Sequence, residues 1–382
     1  MATENRGKPR LLFIVNVDWF FLSHRLPIAL HAMQAGYEVH LAVGLTDRLP
    51  ELAAHGLTVH PIALRRAGIA PLAQVRSFLQ MLCVLRRVRP DVLHLVTVKP
   101  VVFGGIAARL LRVPTVVAAV PGLGYVFTAQ GRMAALARGL LAWLYRLALR
   151  SPRVRVLFQN PDDRQRLIEA ARLDPARTQI IRGSGVDLAR YAATPLPPGV
   201  PLVVLVARLL HDKGVHEFVQ AARELRAGGH TARFALVGAP DVENRASIGA
   251  HQLARWRAEG AVELWGQRED IPAVLAQAHI VVLPSYREGL PKVLLEAAAC
   301  ARAVVTTDVP GCRDAIEPDV TGLLVPARDA AALAAAIARL LDDRALCERF
   351  GRAGRTLAER EFDIDQIVAE HLALYREGFA VR

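Results

Sequence analysis

Residues 280–299 read IVVLPSYREGLPKVLLEAAA. The apolar run Ile280–Leu283 predicts a short buried strand. Pro284–Leu290 carries proline, serine and glycine in the manner of a loop, and Pro291 suits the first turn of a helix running through Lys292–Ala299. Strand, short loop and helix in that order form the repeating step of a parallel sheet covered by helices.

The same step recurs in both directions. Upstream, strands are predicted over Leu11–Val17, Glu38–Val43, Leu57–Ile62, Asp91–Val96, Thr115–Val120 and Val154–Gln159. Helical patterns separate them at Leu22–Ala35, Pro71–Arg89, Val102–Leu111, Arg132–Leu149 and Asp162–Ala171. Glycines and prolines cluster over Gly183–Pro201, which reads as a linker. A second alternation follows, with strands Pro201–Ala207, Ala232–Val237, Ala261–Trp265, Ile280–Leu283 and Ala303–Thr306. Its helices are Gly214–Ala227, Asp270–Ala278 and Pro291–Ala299, and the chain closes in three more, Ala330–Leu341, Arg344–Glu361 and Asp363–Phe379. The expected fold class is α/β, with two doubly wound domains, each binding ligands beyond the carboxyl ends of its strands and together facing a cleft. The boundaries are drawn at 1–189, 190–362 and a C-terminal helix, 363–382, packing back on the first domain.

A chain of 382 residues suits two such domains. With 53% hydrophobic and 22% charged residues it is not a disordered protein, and its glycine and proline usage is not collagenous. Cys83, Cys300, Cys312 and Cys347 have no short paired spacing, so neither a disulfide framework nor a zinc site is expected, and a reducing cytoplasm fits. Neither a signal segment nor a membrane-spanning run is expected from the pattern. The net charge of +12 is uneven. Residues 1–192 hold 26 Lys+Arg against 11 Asp+Glu, while the rest holds 22 against 25. The first half therefore expects an anionic partner.

Three strand-end segments of the second half could carry chemistry. Arg208 leaves a strand and Lys213 opens the next helix, placing two cations where a diphosphate would bind. Two solvated surface charges would look the same. Glu288 lies in the loop after Ile280–Leu283 and Glu296 in the helix that follows, whose first N–H groups favour an anion. Carboxylates beside an anion site make sense if they accept hydrogen bonds from sugar diols. The alternative is an exposed glutamate and a helix salt bridge. Arg268, in Gly266–Asp270, could lie against a base or simply occupy a surface turn.

Taken together, Ala207-Arg208, Lys213-Gly214, Gly238, Gly266, Pro284-Ser285, Glu288-Gly289 and Glu296-Ala297 resemble the retaining GT-B glycosyltransferases of the glycogen-synthase and sucrose-synthase type. Residues 16–27 (NVDWFFLSHRLP), 98–105 (VKPVVFGG) and 122–127 (GLGYVF) are similar to bacterial enzymes that extend polyprenyl-diphosphate-linked sugars, N-acetylgalactosaminyltransferases among them. The resemblance implies that Arg208 and Lys213 neutralise the diphosphate of a UDP-sugar donor and Glu288 holds its sugar hydroxyls. It also implies that the N–H groups of Gly289 and Leu290 cradle the distal phosphate, Glu296 takes the ribose and Arg268 the base. No metal or other cofactor is expected, and no Asp-x-Asp loop argues for one. Electrostatic stabilisation of the leaving diphosphate is then the main catalytic term.

Many relatives carry a histidine after the strand matching Thr115–Val120; here Pro121–Gly124 has none. His24 and Arg25, read at a helix start facing the cleft, are the acceptor-side candidates, with a structural His24 as the alternative. The apolar, arginine-studded segment Met133–Arg150, supported by Arg65, Arg66, Arg86, Arg87 and Arg89, reads as a surface for an anionic membrane or as a helix packed on its own sheet. The expected partners are thus a nucleotide sugar, a lipid-linked saccharide acceptor and an anionic membrane, at the inner face of the cytoplasmic membrane. A nucleic-acid partner has only the charge in its favour and no motif. A non-catalytic subunit of the same shape and a sugar-nucleotide epimerase fit the Arg208, Lys213, Glu288 and Glu296 set less well.

Overall fold

The computed structural model describes residues 8–64, 71–124, 127, 131–241, 244 and 246–380. Arg65, Arg66, Tyr125 and Val126 lie outside the described residues. The chain divides into two compact units, Met1–Ser184 with Ile367–Arg382, and Gly185–Gln366.

Unit 1 runs β1 (Arg10–Val15), α1 (Asp18–His24), α2 (Leu26–Gln34), β2 (Glu38–Val43), α3 (Leu49–Ala54), β3 (Thr58–Pro61) and α4 (Pro71–Val88). It continues β4 (Val92–Val96), α5 (Gly105–Leu110), β5 (Thr115–Val120), α6 (Arg132–Leu149), β6 (Val154–Phe158), α7 (Pro161–Ala171) and β7 (Thr178–Ile180). Its seven strands lie in the order β3-β2-β1-β4-β5-β6-β7, every neighbouring pair parallel. The strand order reverses between β1 and β4, which opens a crevice at their carboxyl ends.

Unit 2 runs β8 (Leu202–Val206), α8 (Val215–Ala227), β9 (Arg233–Val237), α9 (Ala250–Glu259), β10 (Glu263–Gly266), α10 (Ile271–Gln277) and β11 (Ile280–Leu283). Then come α11 (Lys292–Ala299), β12 (Ala303–Thr307), β13 (Gly322–Val325), α12 (Ala330–Asp342) and α13 (Arg344–Glu361); α14 (Ile364–Ala380) closes the chain and from Ile367 on belongs to unit 1. The six-stranded parallel sheet has the order β10-β9-β8-β11-β12-β13, so its reversal falls between β8 and β11. Strand β8 shows why helices cover both faces. Val203 and Leu205 join one apolar cluster with Phe218 and Phe234, whereas Leu202 and Val204 join another with Leu283 and Leu294. Alternate residues point to opposite faces, and a strand apolar at every position must bury both.

Three local expectations need correction. The helix expected over Leu22–Ala35 is two helices, α1 and α2, broken at Arg25 (φ −131°, ψ −15°). Pro27 has no N–H to continue the first helix, but it fits the opening turn of the second. The helix expected from Val102 to Leu111 begins as a wide π turn, Pro100–Gly104, before α5. A Cβ on Gly104 would stand 2.5 Å from Leu95 Cδ2, so this turn lies hard against β4. Strands β7 and β13 and helices α3 and α9 escaped the sequence reading, β7 because its three residues, Thr178–Ile180, show neither a period nor an apolar run.

Candidate active site

The β8–β11 crevice of unit 2 collects most of the singled-out residues. Arg208 follows β8 directly. Lys213 does not open a helix but closes a 3₁₀ turn, His211–Lys213, and Gly214 (φ +69°) then starts α8. Gly214 has no tolerated substitute there, since a Cβ would stand 2.1 Å from Pro284 O. That close approach seats the Lys213 turn against the loop after β11. The loop is held from other sides as well. Tyr286 N donates to Asp212 O at 2.9 Å, and Glu288 N to Pro310 O at 3.3 Å. Thr307 Oγ1 donates to Ser285 O. On the Gly311 side, a Cβ would come within 2.6 Å of both Gly289 O and Glu288 O.

This clamping decides where Glu288 points. Its Oε1 accepts from Ser285 Oγ at 2.7 Å and forms a short ion pair with Lys213 Nζ. Both side chains are largely withdrawn from solvent, 18% and 13% exposed, so the pair is less screened than a surface one. Arg208 pairs with Asp241 at 2.6 Å. Asp241 comes close because Gly238 (φ +146°) lets the end of β9 touch the end of β8; a Cβ there would stand 1.8 Å from Ala207 O.

Glu296 is buried inside α11 and accepts from Tyr191 OH at 2.7 Å, with Lys292 Nζ 3.4 Å from the same oxygen. Burial pushes its carboxyl above the usual range, while Lys292 and the tyrosine hydroxyl oppose the shift. Tyr191 is pushed well up in turn, first by burial and then by the neighbouring carboxylate. Pro291 stands just before α11 and Leu290 is buried at its entrance. Arg268 is in a different setting: exposed, and engaged with Asp270, Nε to Oδ1 at 2.7 Å.

The acceptor-side pair of unit 1 departs from expectation. His24 ends α1 rather than beginning a helix, stacked on Phe20 at 4.1 Å between ring centroids. Arg25 is buried, its Nη1 donating to His24 O (2.9 Å) and Ser184 Oγ (3.3 Å), and burial lowers its pKa to about 10. It borders a small cavity with His371 of α14.

Several partners in this geometry were missed. Tyr191 sat in the segment read as linker, and an aromatic residue among prolines and glycines was the available signal. Asp241, Ser285 and Thr307 gave no signal by spacing. Tyr286 OH donates to Glu217 Oε1 at 2.6 Å, and Arg328 lies 4.6 Å over its ring, a further anchor of the Glu288 loop. Among the described residues, no group of three or more His, Cys, Asp or Glu could hold a metal.

Two parallel-sheet units, with cations and carboxylates gathered at a switch point, define the class of two-domain GT-B proteins. Residues 10–160 match the family described as glycosyl transferase 4-like, and residues 200–343 the glycosyl transferases group 1. The N,N'-diacetylbacillosaminyl-diphospho-undecaprenol alpha-1,3-N-acetylgalactosaminyltransferase of Campylobacter jejuni is 30% identical over 377 residues, 93% of this chain and 97% of that one. Among solved structures, sucrose-phosphate synthase from Thermosynechococcus elongatus superposes with a TM-score of 0.80 at 21% identity, covering 98% of this chain and 100% of that one. The Anabaena HepE protein in complex with UDP and glucose gives a TM-score of 0.76 at 20% identity, covering 95% and 99%. The chain belongs to the group 1 glycosyltransferases of GT-B fold, and it is an enzyme of that kind.

Proposed function

We propose that this enzyme moves an N-acetylated amino sugar from a UDP-sugar to a lipid-linked saccharide, with retention of configuration, during surface-polysaccharide, lipopolysaccharide or glycan assembly. The observation that carries the donor side is the Lys213–Glu288 pair at the β8–β11 switch point, beside the start of α11. Arg208 and Lys213 bind the diphosphate and stabilise the charge it gains as the sugar leaves. Glu288 keeps Oε1 on Ser285 and Lys213 and turns its other oxygen to donor hydroxyls. The N–H groups of Gly289 and Leu290 face the distal phosphate, Arg268 exchanges Asp270 for the base, and the departing phosphate takes the acceptor's proton. Glu296 binds the ribose. His24 and Arg25 belong to the acceptor side, Arg25 as a buried support of the β1 loop. The relative acting on an undecaprenol-linked sugar supports the acceptor class.

The test is transfer from a panel of labelled UDP-sugars to a polyprenyl-diphosphate saccharide, beside thermal shifts with each donor. A ligand bound only by the folded protein raises its apparent stability. Failure of every UDP-sugar both to shift the melting point and to be consumed would overturn the reading. The phosphate is handled by side chains, so EDTA should leave the rate within about twofold, given that Arg and Lys can replace a metal clamp. Complete loss, restored by a divalent ion, would show that a metal shares the diphosphate.

Tyr191→Phe probes Glu296 without touching the diphosphate. It removes one hydrogen bond to a carboxylate, worth about 1.5–3 kcal/mol. The expected result is a KM for donor raised roughly tenfold or more with kcat little changed, because the ribose is held equally before and during transfer. A 2′,3′-dideoxyribose donor should lose this sensitivity. If both donors respond alike, Glu296 does not hold the ribose.

The proposed location is peripheral, on the inner face of the cytoplasmic membrane. Among the described residues no helix is long and apolar enough to cross a membrane. Helix α6 buries Ala142, Tyr145 and Ala148 but exposes Met133, Leu136, Leu140 and Trp143, the last four on one stripe. Helix α4 exposes Leu72, Val75 and Leu79. An apolar stripe flanked by arginines suits an anionic lipid surface.

A further inference from the structure

One cavity of unit 1 is not at the carboxyl edge of its sheet. It lies at the opposite edge, where α5 and α6 end and β5 and β6 begin, and encloses about 430 Å³. Val113, Val116 and Val154 contribute apolar lining, and Arg109, Arg112, Arg150 and Arg153 line it as well. Among the described residues no acidic one lines it. Sequence makes this inevitable: between Asp91 and Asp162 the chain carries no Asp or Glu, against nine lysines and arginines. All four arginines are exposed. Arg109 is steered by a long contact from Nη1 to Leu147 O, 3.4 Å. The last turn of α6 comes close to the start of α5 because residue 105 is glycine, where a Cβ would stand 2.9 Å from Ala148 Cβ.

Helix C-termini favour cations, which accounts for charge in the last turns of α5 and α6. It does not account for Arg153, which follows the turn at Ser151–Pro152 and sits directly before β6. Four guanidinium groups around one cavity repel each other until an anion enters, and planar N–H forks match phosphate oxygens. The surroundings indicate which phosphate. On α6, positions 136, 140, 143, 147 and 150 recur at helical spacing, so the exposed stripe Leu136, Leu140 and Trp143 runs through Leu147 to Arg150 at the cavity mouth. Leu110, beside Arg109 on α5, is 65% exposed.

The geometry points to a phosphate-recognition site for the headgroup of an anionic phospholipid, with the α6 stripe lying along the adjoining acyl region. This rests on the membrane-surface reading above and goes beyond it: binding is to one built pocket, not to diffuse positive charge. The pocket lies at the opposite edge of its own sheet from the carboxyl-edge crevice and shares no residue with the proposed donor site. Its loss should therefore leave transfer to a short water-soluble acceptor unchanged.

The test is co-sedimentation with phosphatidylcholine vesicles containing phosphatidylglycerol, at fixed ionic strength. Arg109→Gln/Arg153→Gln alters the pocket. Arg166→Gln/Arg172→Gln, on and just after α7, removes the same charge from exposed positions elsewhere on unit 1. Circular dichroism and the soluble-acceptor rate confirm that both variants are folded. The pocket variant should bind about tenfold or more weakly, and the matched variant within about threefold of the parent, given the value of one arginine at a lipid surface. Replacing chloride by inorganic phosphate at equal ionic strength should weaken the parent but not the pocket variant. Equal weakening of both variants would overturn the pocket in favour of diffuse charge. Parent-like binding by the pocket variant would overturn it while leaving the membrane reading intact, and phosphate binding in that case would mark a site for free anions. A parent chain that ignores vesicles altogether would overturn both readings.

Discussion

Glu288→Gln should reduce transfer by about a hundredfold to a thousandfold, the scale of removing one preorganised polar group from a reacting site. The substitution is nearly isosteric, and Ser285 can still donate to the amide oxygen. What disappears is the negative charge that pairs with Lys213 and, on the proposed reading, accepts from sugar hydroxyls. The loop itself should survive, because it is held by Asp212, Thr307, Pro310 and Glu217 through bonds that do not use the Glu288 side chain. The measurement is an initial rate with labelled donor beside a melting curve. A folded variant with parent rates would remove Glu288 from the chemistry.

Lys213→Ala and Arg208→Ala should each cost about 2–4 kcal/mol of transition-state stabilisation, by analogy with the loss of one oxyanion donor. The two differ in coupling. Lys213 shares an oxygen-level contact with Glu288, so Lys213→Ala in the Glu288→Gln background should add little. Arg208 pairs instead with Asp241, and its effect should add almost fully to that of Glu288→Gln. Rates near the parent value for either single variant would place the diphosphate elsewhere. Full additivity for Lys213 and Glu288 would mean that the ion pair does not act as a unit during transfer.

The residues of the proposed donor site were legible in outline because they lie at strand ends. Arg208, Lys213 and Glu288 fall just after β8 and β11, and the alternation of apolar runs marks where strands stop. The local structure around the proposed acceptor-side residues was less legible. His24 and Arg25 were placed at a helix start because an apolar pattern runs through residues 22–35, yet the chain breaks at Arg25 and buries it. Periodicity reports which residues face one side of a helix; it does not report where a proline ends one helix and starts the next.

By itself the sequence determined the α/β class, the two-domain organisation, the loops that carry cations and carboxylates, and the one-sided charge of the first half. These depend on local spacing and composition, which chain order preserves. Only the tertiary structure decided that Asp241 meets Arg208, that Tyr191 reaches Glu296 across 105 positions, and that Arg109 and Arg112 share a cavity with Arg150 and Arg153. The physical reason lies in the parallel sheet. Each crossover carries the chain through a helix before the next strand, so the residues that meet at one edge are separated by tens of positions. Which side chains meet there is set by strand order and by glycines at close approaches such as Gly105, Gly214 and Gly238, and no local period records either.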